Sequence, residues 1–219
     1  MAVPRIVLLH ATPVAMEPVQ AAFRELWPEP QLINLLDDSL SPDRAREPDL
    51  TDAMIDRFVR FGRYAHSVGA DGILVTCSAF GPAIDQMAEE LPVPVLKPNE
   101  AMFHAAVSQG TRIGMLATFG PAVGTMTGEF EDYVREQGSP ATLTTVLVED
   151  AMAALRKGDA DTHNRLLAER AGDLGGFDTV MLAHFSTSRA QHAVQEQLAV
   201  PVLSAPGAAV RRMRELVLG

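Results

Sequence analysis

Short runs of aliphatic residues alternate along the chain with longer segments in which apolar residues recur every three or four positions. The short runs predict buried strands, and the longer segments predict amphipathic helices. Strands that alternate with helices indicate parallel sheets joined by right-handed crossovers. The strands are predicted at 4–9, 31–36, 71–76, 93–96, 143–148, 178–183 and 200–203, with one more beginning at Thr111.

The segment 37–49 breaks this pattern because it is acidic, contains two prolines and has no apolar period. We predict a surface loop there, with a lid as the alternative. A helix is expected to follow, capped by Thr51, whose hydroxyl can accept a hydrogen bond from the first turn. Gly69 is its expected stop.

The sequence contains an internal repeat, in which separate segments recur at a constant offset of 107 residues. Residues 70–79 (ADGILVTCSA) return as 177–186 (FDTVMLAHFS), and 91–96 (LPVPVL) return as 198–203 (LAVPVL). One offset over separated segments predicts two pseudo-symmetric lobes, 1–97 plus 205–219 and 98–204. Each is expected to be an α/β unit, a parallel sheet flanked by helices in a flavodoxin-like arrangement, with the active site in the cleft between lobes.

The only cysteine of the chain, Cys77, follows a predicted strand and precedes a predicted helix. In open parallel sheets, ligands bind at the carboxyl ends of the strands. The positive end of a helix stabilises a thiolate, lowering the pKa of a thiol below its free value of roughly 8.5. Cys77 is therefore a candidate catalytic base or nucleophile. The alternative is a buried apolar cysteine.

The repeat places His184 where the first copy has Cys77, since 184 − 77 = 107. An imidazole gives and takes protons near neutral pH. A sulfur and an imidazole on opposite walls of one pocket could remove a proton from a carbon and return one to its other face. We predict His184 as the second catalytic group; a strand-end histidine that only forms hydrogen bonds is the alternative.

Further candidates surround these two positions. His10 ends the first strand and is a candidate substrate contact, an orienter for Cys77 or a structural histidine. Hydroxyls at predicted helix starts could help to bind a carboxylate, because helix N-termini attract anions; plain capping is the alternative. The predicted substrate-binding set is His10, Thr12, Ser78, Ala79, Thr118, Phe119, Phe185 and Ser186.

Composition narrows the possible partners. The 219 residues carry a net charge of −10, which argues against nucleic acid and anionic membranes, although a small carboxylate substrate is compatible. One cysteine cannot form an intramolecular disulfide, and neither a leader segment nor a bilayer-length apolar run is visible. A cytoplasmic homodimer is expected. Gly-rich nucleotide loops and paired-cysteine motifs are absent, so we predict no cofactor and no metal.

The stretch from Gly69 to Cys77 (GADGILVTC) and the strand Met115-Leu116-Ala117-Thr118 resemble the aspartate/glutamate racemase superfamily. This superfamily includes amino-acid racemases, hydantoin racemases, maleate isomerases and arylmalonate decarboxylases. The resemblance covers nearly the whole chain. It implies two lobes, a final helix packed on the first lobe, and cofactor-free proton transfer by two thiols on opposite faces of a substrate.

The chain departs from that pattern at both thiol motifs. The usual Cys-Asn-Thr is Cys77-Ser78-Ala79 here, and the second Cys-Thr is His184-Phe185. The resemblance therefore implies a racemase or isomerase acting next to a carboxylate or carbonyl, with Cys77 and His184 as the proton-transfer pair. The alternatives are a malonate-type decarboxylase using Cys77 alone, a non-catalytic carboxylate-binding protein, and hydrolysis or isomerisation by a direct Cys–His pair.

Overall fold

The computed structural model describes residues 3–47, 49–118, 120 and 123–219. The chain forms two compact units: the first runs to Ala101 and resumes at Ala209, and the second spans Met102 to Ala208. Each boundary lies four residues beyond the corresponding sequence-based boundary, at 97 and 204. Among the described residues, every helix is too short or too polar to traverse a lipid bilayer.

Among the described residues, the first unit contains one parallel sheet whose four strands lie side by side in the order Gln31–Leu36 (β2), Arg5–His10 (β1), Gly72–Val75 (β3) and Val95–Leu96 (β4). Helices follow the strands along the chain, as the alternating hydrophobic pattern predicts. Its elements are β1 (Arg5–His10), α1 (Met16–Leu26), β2 (Gln31–Leu36), α2 (Leu40–Arg44), α3 (Asp52–Ser67), β3 (Gly72–Val75), α4 (Gly81–Glu90) and β4 (Val95–Leu96).

The second unit repeats this parallel sheet, with its strands in the order Thr142–Leu147 (β6), Arg112–Ala117 (β5), Thr179–Leu182 (β7) and Val202–Ser204 (β8). Two helices, α5 (Glu100–Gln109) and α11 (Ala205–Leu218), carry the chain from one unit to the other. The remaining elements are β5 (Arg112–Ala117), α6 (Val123–Glu136), β6 (Thr142–Leu147), α7 (Glu149–Arg156), α8 (Ala160–Ala171), β7 (Thr179–Leu182), α9 (His184–Thr187), α10 (Gln191–Gln195) and β8 (Val202–Ser204). The predicted α/β class with two helix-flanked parallel sheets is confirmed.

A repeated aspartate anchors the start of the equivalent strands in both units. Asp71 Oδ2 accepts a hydrogen bond from the backbone N–H of Arg5 at 2.7 Å. Asp178 Oδ2 accepts one from Arg112 at 2.8 Å, and both members of the pair are shifted by 107 residues. A strand begins with backbone N–H groups that its own sheet cannot satisfy, and these carboxylates supply the acceptors. The duplication therefore extends to the hydrogen bonds that fix strand register.

The core of the first unit is aliphatic with a small aromatic centre. Residues Ile6 to Leu9 of β1 and Ile73 to Val75 of β3 have no exposed surface, as expected for strands covered on both faces. Phe58 of α3 stacks on Phe80, with ring centroids 4.4 Å apart and planes 8° from parallel. Phe80 thereby fixes the turn that connects β3 to α4.

The segment 37–49 is more ordered than its composition indicates. The prediction of a plain loop is wrong for Leu40–Arg44, which form α2, because Leu40 is fully buried in the core. Arg57 of α3 donates hydrogen bonds to Asp37 at 2.6 Å and to Asp43 at 2.7 Å. Burial opposes ionisation of Asp37, but hydrogen bonds from Ser39 and Arg57 and the guanidinium charge hold its pKa below the ordinary value. One buried leucine and one arginine thus secure this segment.

Gly62 permits the close approach of α3 and α4. A Cβ placed on Gly62 would lie 1.9 Å from Met87 Sδ and 2.9 Å from Met87 Cγ, and Met87 is fully buried. We expect Gly62→Ala to lower the free energy of unfolding by about 1–3 kcal/mol through overpacking. The control, Gly128→Ala in the interior of α6, meets no atom within 4 Å and should stabilise by about 0.5–1 kcal/mol. Urea denaturation of both variants measures this; equal effects of the two substitutions would contradict the packing argument.

Candidate active site

The strand order places a topological switch point in each sheet. In the first unit the chain leaves β1 towards β2 on one side and reaches β3 on the other, and β5 has the same role in the second unit. Ligands of open α/β sheets bind at the carboxyl ends of the strands at such points. His10 ends β1, and Cys77 follows β3 by two residues. Thr118 directly follows β5, and His184 follows β7 by two residues.

Cys77 lies in the turn from β3 to α4. Its backbone is extended (φ −130°, ψ 119°), and a 3-10 turn at Ser78–Phe80 leads into α4. The residue is half-buried and packs against the apolar core of the first unit. Ser78 is half-buried, and Ala79 is exposed. The thiol therefore lies at the border of the core, beside backbone N–H groups at the start of a helix.

His10 is fully buried and both of its ring nitrogens have protein partners. Nδ1 lies 2.9 Å from Thr76 Oγ1, and Nε2 lies 3.0 Å from Asn34 Oδ1. Asn34 Oδ1 also accepts a hydrogen bond from Gln20 Nε2 at 2.8 Å. Burial lowers the pKa of His10, and the hydrogen bond with Asn34 only partly opposes this shift. Of the three roles considered for His10, these contacts favour a positioning or structural one.

Sequence reasoning missed the partners of His10. Thr76 immediately precedes Cys77, so the network connects the end of β1 with the residue before the thiol. Asn34 was detectable in principle, since it is the one polar residue in the predicted strand 31–36 (QLINLL) after its first position. A polar side chain inside a buried strand usually has a specific hydrogen-bond partner.

His184 has an unusual backbone and an unpaired ring nitrogen. Its φ is +66°, and no other non-glycine residue in the described ranges has a positive φ. This left-handed conformation costs a residue other than glycine about 1–2 kcal/mol. Nε2 is buried and has no hydrogen-bond partner among the described residues. Burial lowers the pKa of His184, which keeps the imidazole neutral at pH 7.

Strain and an unsatisfied polar atom at one residue are features that accumulate at functional sites. Cys77, the equivalent residue of the first unit, is not strained in this way. Thr118, beside the end of the neighbouring strand β5, is 1% exposed, and its hydroxyl also lacks a partner among the described residues. Two buried polar atoms at the carboxyl edge of the second sheet are therefore unsatisfied by the described residues.

The other predicted binding residues have varied surroundings. Thr12 is half-buried and makes no capping hydrogen bond to the 3-10 turn that follows it. Phe185 is 7% exposed and Ser186 is half-buried in α9. Phe119 lies outside the described residues. In α9, the Thr187 hydroxyl donates a hydrogen bond to the His184 carbonyl at 3.1 Å.

Charged groups are also present at the strand ends. Asp37 after β2 is held by Arg57, and Lys97 directly after β4 pairs with Asp85 at 2.6 Å. No cluster of three or more His, Cys, Asp or Glu residues within the described ranges could hold a metal ion.

Solved structures of similar fold cover almost the whole chain. Allantoin racemase from Klebsiella pneumoniae matches with a TM-score of 0.73 and 19% identity, over 98% of this chain and 88% of that one. An aspartate racemase homologue from Pyrococcus horikoshii OT3 matches with a TM-score of 0.73 and 15% identity, over 98% and 99%. A glycine-to-cysteine variant of arylmalonate decarboxylase matches with a TM-score of 0.68 and 19% identity, over 99% and 94%.

At these identities the structural likeness establishes the fold alone. A search of curated proteins found no significant match. The sequence profile described as Asp/Glu/Hydantoin racemase matches residues 7–213, which is nearly the full chain. The chain belongs to the Asp/Glu/hydantoin racemase family.

Proposed function

We propose that the protein is a cofactor-independent racemase or isomerase that acts on a carbon next to a carboxylate or carbonyl of a small acid, an amino acid or a hydantoin. Cys77 and His184 act as the two proton-transfer groups on opposite faces of that carbon. Family membership supports racemase-type activity in general. The assignment of the pair is supported by the position of each residue, two residues beyond equivalent strands.

The proposed reaction moves one proton at each face. Neutral His184 takes the proton from the substrate carbon, and the electron pair left behind moves into the adjoining carbonyl. Cys77, as the thiol, then donates its proton to the opposite face of the same carbon. The reverse reaction starts from the thiolate and the imidazolium, so no proton is gained or lost over the complete exchange. Burial lowers the pKa of His184, which supports a neutral base at pH 7.

The enolate-like charge needs stabilisation while the carbon is planar. Backbone N–H groups at the start of the turn Ser78–Phe80 and at the start of α9 are suited to this role, because the first N–H groups of a helix lack partners within it. Preorganised donors of this kind are usually the largest single contribution to catalysis of such steps. In this proposal, Ser78 and Ser186 contribute to the binding of the carboxylate or carbonyl oxygens.

The observation that carries the proposal is His184 itself. His184 occupies the position in the second unit that corresponds to Cys77 in the first. Its backbone is left-handed, and its buried Nε2 has no hydrogen-bond partner among the described residues. A residue that only packed there would gain nothing from this strain, since glycine or asparagine adopts the conformation at lower cost. A substrate atom in contact with Nε2 would explain both features.

The experiment is proton exchange in deuterated buffer. Single enantiomers of amino acids and 5-substituted hydantoins, and an arylmalonate, are incubated with the protein in the presence of a chelator. We expect loss of optical activity and incorporation of one deuterium at the reacting carbon of one substrate class. Carbon dioxide release from the arylmalonate without exchange in the other compounds would instead identify a decarboxylase. Binding of a carboxylate without any turnover would identify a non-catalytic member.

A further inference from the structure

Lysine occurs at only two positions in this chain, whereas arginine supplies the other sixteen of its eighteen basic residues. One of the two, Lys97, directly follows β4. Within the described residues, it is the only basic residue that comes immediately after a strand of the first sheet; the other strands are followed by Ala11, Asp37 and Thr76.

The register of the sheet places Lys97 close to Cys77. β4 pairs with β3 through Leu74 and Leu96, so Lys97 continues alongside Val75, two residues before Cys77. With strands about 4.8 Å apart and a rise of about 3.3 Å per residue, the two Cα atoms are about 8 Å apart. At physiological ionic strength the screening length is about 8 Å, so a charged side chain at position 97 is close enough to influence the thiol electrostatically.

Lys97 has an exchangeable partner. Its Nζ lies 2.6 Å from Asp85 Oδ1 on α4, and the two side chains are 34% and 56% exposed. Ion pairs with this exposure contribute little to stability, so another carboxylate can replace Asp85 at small cost. Arg57, which reaches the end of β2, is instead held by two carboxylates at once.

We propose that Lys97 is the anion-recognition residue of the Cys77 site: it leaves Asp85 and binds a single carboxylate of the substrate. This inference rests on the proposed function, since it assumes that substrate binds beside Cys77. One exchangeable ammonium suits a monocarboxylate. In the part of the chain that the structure describes, a second carboxylate would find no further basic residue immediately after a strand of this sheet. The geometry therefore selects monoanionic substrates over dicarboxylates and over neutral ring compounds.

The test uses the single cysteine as a probe, so it needs no identified substrate. The intact protein is alkylated with iodoacetate, which is anionic, and with iodoacetamide, which is neutral. In both reactions the Cys77 thiolate forms the carbon–sulfur bond and iodide leaves. The ratio of the two rate constants reports the local potential at the sulfur independently of the thiolate fraction, because both reagents need the thiolate.

We expect Lys97→Gln to lower the iodoacetate-to-iodoacetamide ratio about two- to sixfold at low salt, and Asp85→Asn to raise it by a similar factor. Both differences should shrink in 0.5 M salt. The matched control is Lys157→Gln, which changes the other lysine, in an exposed turn between α7 and α8, and should leave the ratio unchanged. Thermal unfolding of each variant verifies that the fold is retained.

A ratio that is the same in Lys97→Gln and in the parent protein overturns the proposal, even if proton-exchange activity is found. An unchanged ratio in Asp85→Asn overturns the exchange of partners. A Cys77 that reacts with neither reagent under native conditions contradicts this proposal and the proposed function together. Once a substrate is found, Lys97→Gln should raise KM for the monocarboxylate more than it lowers kcat, and should leave a neutral analogue unaffected.

Discussion

Cys77→Ser and His184→Asn are expected to abolish racemisation while each leaves proton exchange on a different enantiomer. In Cys77→Ser, His184 can still remove and return the proton on its own face, but the opposite face has no acid. In His184→Asn the reverse holds, and the thiolate exchanges only the other enantiomer. General acid–base groups contribute about 10²- to 10⁴-fold, so racemisation should fall by at least that factor. Deuterium incorporation and optical rotation, followed for each pure enantiomer, measure the two effects separately.

Asparagine is the suitable replacement for His184 because it tolerates a positive φ better than most residues. The backbone strain is then reduced rather than increased, and a loss of activity reports the missing imidazole. His192→Asn is the matched control, since its side chain is 90% exposed on α10 in the same unit. Racemisation at the parent rate in either active-site variant would reject its assigned role. Loss of exchange on both enantiomers in one variant would point to a single base instead of two.

Much of the fold followed from local patterns. The offset of 107 residues predicted two α/β units, and the equivalent contacts of Asp71 and Asp178 show why an aspartate recurs at the start of each repeated strand. Thr51 was expected to cap α3, and its hydroxyl does accept a hydrogen bond from the Met54 N–H at 3.4 Å. These features depend on residues within one element or at one repeated position, which a single sequence displays.

The segment 37–49 could not be predicted in the same way. α2 depends on the burial of Leu40 and on Arg57, which lies 14 to 20 residues away from the carboxylates that it holds. The composition of the segment gives no information about either contact. Propensity is a weak guide wherever tertiary contacts of this kind determine the local structure.

In the candidate site too, some features followed from local sequence patterns and others depend on contacts between distant residues. Placing Cys77 and His184 just beyond the ends of equivalent strands needed only the repeat and the strand pattern. The environment of His10 needed Asn34 and Gln20, which come from β2 and α1. The positive φ of His184 could not be foreseen, because few residues other than glycine adopt it and neither the repeat nor the strand pattern marks such a position. That Cys77 and His184 act on one substrate stays a prediction, and the isotope experiment decides it.

Acidification below about pH 6.5 is expected to destabilise the protein through its buried histidines. His10 and His163 have no exposed surface, and burial lowers the pKa of both. In the unfolded chain each would titrate near its ordinary pKa of about 6.5. Below that pH the unfolded state therefore binds more protons than the folded state. Protonation of these histidines therefore costs no stability above about pH 6.5. The free energy of unfolding falls as the pH is lowered from there towards their pKa in the folded protein.

Each such histidine can contribute up to about 1.4 kcal/mol of lost stability per pH unit, and His184, whose pKa is also lowered by burial, adds to the slope. His163→Leu should reduce this slope by the contribution of one histidine, because leucine fits a buried site and cannot be protonated. The substitution also removes the buried Nε2, which has no partner among the described residues, together with the 2.8 Å contact between His163 Nδ1 and Asn164 Oδ1. Urea denaturation at pH 7.5, 6.5 and 5.5 gives the slope, with exposed His192→Leu as the control. A slope that His163→Leu leaves unchanged would mean that His163 binds a proton in the folded protein as easily as in the unfolded chain, in contradiction to its burial.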